Sequence, residues 1–119
     1  MVIATDLGVK VLAASGGEVA LHDRSPFYGL VAVAAVAWSA ALLATGSRLL
    51  AGAGGLVLGG ALANAASLLL WPGVPDPLVA GQIAFNPADV AALLGGLIAV
   101  PLAAGAVAVR SRASISRTR

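Results

Sequence analysis

Three long apolar runs separated by short breaks dominate the chain from residue 27 onward. They are residues 27–46, "FYGLVAVAAVAWSAALLATG", residues 49–71, "LLAGAGGLVLGGALANAASLLLW", and residues 88–109, "ADVAALLGGLIAVPLAAGAVAV". About 20 apolar residues are enough for a helix to cross the hydrocarbon of a bilayer, so the pattern predicts three transmembrane helices. Only Ser47-Arg48 separates the first two runs, which implies a tight turn. The second and third are joined by "PGVPDPLVAGQIAFNP", whose Pro and Gly content predicts a loop. Pro101, inside the third run, predicts a kink or a helix contact. Gly52, Gly55, Gly59 and Ala63 recur at helical spacing on the second run. Gly55 and Gly59 form a small-xxx-small pair, expected to let another helix approach closely. The glycine cluster "GAGGLVLGG" lacks both the GxGxxG and the Walker spacing, so it is not a nucleotide-binding loop.

The first fifteen residues, "MVIATDLGVKVLAAS", are helix-like but too short to span, and Asp6 and Lys10 interrupt them. Without a basic leader or a long apolar core, this is not a signal peptide. It reads as an interfacial helix or as the outer end of a first span whose beginning is missing, a partial fourth helix. Residues 16–26, "GGEVALHDRSP", form a short polar connection.

Composition strengthens the membrane reading. Apolar residues make up 60% of the 119 positions and charged residues 10%, against about 25% charged in an ordinary globular domain. Between Arg24 and Arg48 there is no charge at all, and between Arg48 and Arg110 there are only Asp76 and Asp89. The fold class expected is an all-α integral membrane protein. Residues 1–110 form a single transmembrane domain, and residues 111–119 a basic disordered tail. That tail follows a span directly, so its partner is anionic lipid rather than nucleic acid. The absence of cysteine removes disulfide and thiol chemistry, and one histidine among scattered carboxylates gives no metal site. No cofactor is expected. Arg48, Arg110, Arg112, Arg117 and Arg119 fall on one side of a three-span topology, and Lys10 and Arg24 on the other. This excess puts the C-terminus in the cytoplasm and the loop bearing Asp76 and Asp89 outside.

Carboxylates at a membrane edge are functional candidates, because burying one without a partner is costly. Asp76 leaves the second span and Asp89 enters the third on the same side. Two carboxylates at close range cannot both ionise easily, and they share a proton. An aspartic peptidase requires that arrangement: one carboxylate takes a proton from water while the other, protonated, polarises the scissile carbonyl.

"GGALANAAS", "GVPDP" and "AFNPAD" together resemble the motifs of the lipoprotein signal peptidase (signal peptidase II) family. Those run Gly-Gly-Ala-x-Gly-Asn-x-x-Asp-Arg, then a Val-Val-Asp-Phe type segment, then Phe-Asn-x-Ala-Asp. The resemblance covers residues 56–100 and implies that Asp76 and Asp89 are the catalytic pair, with Asn64 and Asn86 in the supporting asparagine positions; Ser67, on the same helix as Asn64, is a further supporting or substrate-binding candidate. Asp6 and Lys10 resemble the family's Asp-x-x-x-Lys, and "ALHDRSPF" a worn form of its Asn-x-Gly-x-x-Phe segment. Ser67-Leu68 replaces the family's Asp-Arg, Ala63 replaces a glycine, and the interval from Asp76 to Asp89 is shorter than is typical of the family. Most of the first span and much of the β-rich segment after it are absent.

Each residue also has a plainer reading. Asn86, Pro87 and Asp89 suit N-cap, N1 and N3 of a helix without any chemistry. Asp76 suits a turn, Asn64 an interhelical hydrogen bond, and Ser67 a packing position. As a nucleophile Ser67 lacks a base, since His22 has no evident route to it. Asp6 and Lys10, one helical turn apart, suit a local ion pair. Trp38 falls mid-span as packing, and Trp71 fits an interfacial anchor. The function implied by the resemblance is cleavage of the signal peptide of a diacylglyceryl-modified prolipoprotein at the bacterial plasma membrane. The alternatives are an inactive relative that binds or assembles membrane partners, and a small proton-coupled transporter. The last fits less well, because coupling sites sit near the midplane.

Overall fold

The computed structural model describes residues 1–17, 19–22 and 27–117. In chain order the elements are α1 (Val2–Gly16), β1 (Ala20–His22), α2 (Phe27–Leu43), α3 (Arg48–Leu70), β2 (Val74–Asp76), β3 (Leu78–Ala80), β4 (Ile83–Phe85) and α4 (Pro87–Arg117). Helix dominates, but the connections are not plain loops. β1 pairs antiparallel with β2, placing Ala20 opposite Asp76, and β3 pairs with β4 as a hairpin. Gly81, at φ 63°, takes the first central position of the hairpin turn, which a side chain would strain. The helical expectation holds for the bulk of the chain, and two small antiparallel ribbons add to it, where short Val/Ile/Phe segments between Pro and Gly suit paired strands.

Three spans were expected, and among the described residues two helices meet the requirement of length and apolarity: Arg48–Leu70 and Pro87–Ala108. The first expected span stops short. Thr45 Oγ1 donates to the Leu42 carbonyl at 2.6 Å, and Gly46 adopts φ 73°, so the helix closes at Leu43 rather than residue 46. At about 1.5 Å per residue the 17 residues of α2 reach about 26 Å, less than a hydrocarbon core of about 30 Å. Ser47 then caps α3, accepting from the Leu50 N–H at 3.4 Å. Trp71, at φ −128° and ψ 160°, ends α3 because the residue before a proline avoids helical backbone. At the other end of the chain α4 runs past residue 110 and stays helical through Arg117, within the segment expected to be a disordered tail. Pro101 lies inside α4, on an exposed face.

α3 packs against α4 on one side and α2 on the other, with α1 lying across α3 and the first turns of α4. The tightest approach uses glycines other than the expected pair. A Cβ at Gly60 would collide with the carbonyl of Ala88, and one at Gly95 would lie 2.6 Å from that of Ala53. Gly55 faces open space, and Gly59 meets the side chain of Val2 from α1. Residues near the start of α3 (Leu49, Leu50) and in the second half of α4 (Ala103, Ala106) border one groove, so the start of α3 and the C-terminal half of α4 share an end.

Burial is inverted relative to a water-soluble domain. The two buried residues of α1 are Asp6 and Lys10, while Ile3, Val11 and Leu12 are exposed. Only 28% of the apolar window of α3 and 17% of that of α4 are covered, whereas the core helix of a soluble protein would be mostly buried. Apolar solvent favours that distribution, with backbone and polar groups satisfied inside.

Candidate functional site

At the end of the molecule away from Arg48, side chains from α1, α3, β2 and α4 meet in one polar network. Its centre is Asn86, 1% exposed, in the residue before α4. The sequence Asn-Pro-x-Asp folds here as a reciprocal cap. The Asn86 N–H donates to Asp89 Oδ2 at 3.1 Å, and the Asp89 N–H donates to Asn86 Oδ1 at 3.1 Å. Pro87 occupies the first helical position, where its missing N–H costs nothing. This cap leaves the Asn86 Nδ2 group free to act elsewhere, and it donates to Asp76 Oδ1 at 2.7 Å.

Asp76 is positioned by β2. Pairing with β1 sets it opposite Ala20, and the whole strand is buried, Asp76 being 2% exposed. Asp89 is half-buried on the first turn of α4, where the helix dipole favours a negative charge. Its Oδ1 accepts from Asn64 Nδ2 at 2.8 Å, across from α3. Each carboxylate therefore receives one side-chain amide, and Asn86 touches both. An open cleft of about 350 Å³ runs past Asp76, bordered by Ala13, Gly16, Val19, Ala20 and Val79.

Behind Asn64 lies a fully buried ion pair. Lys10 Nζ sits 2.7 Å from Asp6 Oδ2, both side chains being 0% exposed. Lys10 also donates to Asn64 Oδ1 at 3.0 Å and to Ser67 Oγ at 2.8 Å, and the Ser67 hydroxyl in turn donates to the Ala63 carbonyl at 2.9 Å. Asp6 Oδ1 accepts the backbone N–H of Ala88 at 3.0 Å, reaching from α1 to the first turn of α4.

All five residues singled out from the sequence, Asn64, Ser67, Asp76, Asn86 and Asp89, belong to this network. Half of the segment "ALHDRSPF", residues 23–26 with Arg24 among them, lies outside the described residues, while Ala20–His22 form β1 and Phe27 opens α2. The Asp6–Lys10 ion pair forms as a local pair, but it is also tied to α3 and α4 over 54 to 82 residues of sequence, a role the spacing alone did not suggest. The available signal was two opposite charges in an otherwise apolar helix, which need a buried partner. Among the described residues, no three or more His, Cys, Asp or Glu side chains gather as a metal site would need. Comparison with protein-family models and with curated proteins finds no match for this chain.

Proposed function

We propose that the chain is an intramembrane aspartic endopeptidase of the signal peptidase II type. Its substrate would be the signal peptide of a lipid-modified prolipoprotein, cleaved on the amino side of the lipidated cysteine. The observation that carries this reading is Asn86, which donates to Asp76 through its amide and to Asp89 through its backbone. The pair is thereby gathered at one end of two helices long enough to cross a bilayer. In this reading α2 crosses as a third, short span, the arginine-rich end is cytoplasmic, and the aspartates face outwards.

The chemistry needs no cofactor. One carboxylate takes a proton from water as the water oxygen bonds to the scissile carbonyl carbon. The other, protonated, donates to the carbonyl oxygen and so stabilises the tetrahedral diol. Collapse of that intermediate breaks the C–N bond, with a proton delivered to the leaving nitrogen. Asn64 and Asn86 keep the carboxylates aimed throughout. A groove bordered by Val2, Leu56, Pro87, Val90 and Leu94 lies beside the first turns of α4, and in this reading an apolar signal helix approaches along that side.

The test is cleavage of a diacylglyceryl-modified prolipoprotein by wild type, Asp76→Asn and Asp89→Asn in detergent or liposomes. Wild type cleaves, and each substitution lowers the rate by roughly 10²-fold or more. Activity that survives both substitutions overturns the reading. Ser67-Leu68, standing where the family it resembles has Asp-Arg, favours one second reading, an inactive relative that binds the same precursor. Retained precursor binding without cleavage by wild type would establish it.

A further inference from the structure

We propose that Lys10 is a positioning residue for Asp89, acting through the side-chain amide of Asn64. Only its catalytic consequence rests on the peptidase reading above. An amide can present either its oxygen or its NH₂ to a neighbour, and its partners decide which. Lys10 carries three N–H donors and no acceptor, so it can face only the oxygen of Asn64. The NH₂ group is then turned to Asp89 Oδ1. Reversing the amide would set NH₂ against an ammonium and a carbonyl oxygen against a carboxylate, two repulsions of which the first falls on the fully buried Lys10.

The ammonium is itself immobilised. Three oxygens surround it, from Asp6, Asn64 and Ser67, and the lysine is 0% exposed. Asp6 closes the circuit by accepting the N–H of Ala88, the residue next to Asp89. A ring of contacts therefore runs from Asp89 to Asn64, Lys10, Asp6 and Ala88 and back, joining α1, α3 and α4. Asn86 makes the matching arrangement for Asp76. The oxygen of its amide takes the Asp89 backbone N–H, which turns its NH₂ to Asp76 without help from Lys10. The plainer alternative is that Asp6 and Lys10 merely fasten α1 to the bundle, and the two asparagines separate these possibilities.

Asn64 and Asn86 are the only asparagines in the chain, so selective ¹⁵N-asparagine labelling yields two side-chain amide groups to follow. In Lys10→Met the Asn64 amide signals should move towards free-amide values while those of Asn86 stay in place. In the cleavage assay kcat should fall roughly 10- to 100-fold with KM within about twofold, as expected for a misaimed group that does not hold substrate. Removing one partner of a buried ion pair can unfold a protein, so Asp6→Asn/Lys10→Met is the companion variant. It keeps an acceptor for the Ala88 N–H, leaves no unpaired charge, and should show the same Asn64 shift. Unchanged Asn64 signals in the variant that folds overturn the proposal, as does an equal movement of both asparagines, which is general loosening. If wild type cleaves no prolipoprotein, the peptidase reading fails and the amide signals alone decide the role of Lys10.

Discussion

Asn86 carries two separable tasks, and substitution can pull them apart. Its Oδ1 and N–H complete the cap of α4, while its Nδ2 holds Asp76. Asn86→Ala loses the side-chain cap, worth about 1 kcal/mol, and leaves a buried carboxylate oxygen without this donor, costing about 1–3 kcal/mol more. A loss of about 2–4 kcal/mol should appear in denaturant unfolding followed by circular dichroism in micelles. Asn86→Asp retains a capping oxygen but turns a second carboxylate towards Asp76. The repulsion between two buried carboxylates outweighs the retained cap, so it should unfold at least as readily as Asn86→Ala and cleave no faster. Ser67→Ala makes a cleaner case. It removes one of the three oxygens around the buried Lys10 ammonium and should destabilise by about 1.5–3 kcal/mol, the range for a hydrogen bond to a charged group. A loss below a few tenths would mean that water replaces the hydroxyl. Much of this scale was legible in the sequence. "NPAD" states a cap by its residue types and spacing, and Asp6-x-x-x-Lys10 states an ion pair by its helical turn. What could not be read is that the cap has a spare amide and that the ion pair faces inward, since both depend on what lies across the bundle.

Among elements, the α3–α4 interface sets the geometry of the site and depends on glycine. Gly60 of α3 lies under the Ala88 carbonyl, one residue before Asp89, and Gly95 of α4 lies under Ala53. Adding a methyl group at either position forces the helix backbones apart, an overpacking cost of about 1–3 kcal/mol. Gly60→Ala acts beside the Ala88–Asp6 hydrogen bond and Asp89, so it should depress cleavage more than Gly95→Ala does at similar stability. Gly52→Ala and Gly55→Ala point into open space and should be neutral or slightly stabilising, since alanine is the better helix former. Parallel thermal unfolding and activity curves for the four variants test this ordering, and equal effects at Gly55 and Gly60 would refute it. The sequence displayed a glycine-rich helix but not its contact face, because glycines lie on several sides of α3 and a small residue carries no sign of which side is covered. The strand pairing of β1 with β2 was hidden for a related reason. Three-residue strands more than 50 positions apart leave no periodicity, yet this pairing is what holds Asp76.

At the scale of the molecule, polar side chains lie inside and large apolar ones outside. Asp6, Lys10, Ser67, Asp76 and Asn86 are buried, while Leu30, Val33, Leu93, Leu97 and Val100 are exposed. Water would penalise that arrangement and a bilayer stabilises it, since hydrocarbon solvates the apolar exterior and the network satisfies its own polar groups. The same logic fixes how the molecule should sit, with the β3–β4 hairpin on one side and the arginine-rich end of α4 on the other. Because the chain has no cysteine, single introduced thiols report sidedness without background. In intact cells Gln82→Cys, at the hairpin turn, should react with a membrane-impermeant maleimide. Ser114→Cys and Thr45→Cys, at the end shared by α4 and the α2–α3 turn, should react only after permeabilisation. Gly29→Cys decides the path of α2. If this 17-residue helix crosses a locally thinned bilayer, its start faces outwards and labels with Gln82→Cys. Labelling of Gly29→Cys only after permeabilisation would instead put both ends of α2 on the cytoplasmic side and leave α3 and α4 as the crossing helices. Labelling of Ser114→Cys from outside would reverse the orientation, placing the Asp76 and Asp89 end in the cytoplasm, where a secreted precursor's cleavage site does not emerge.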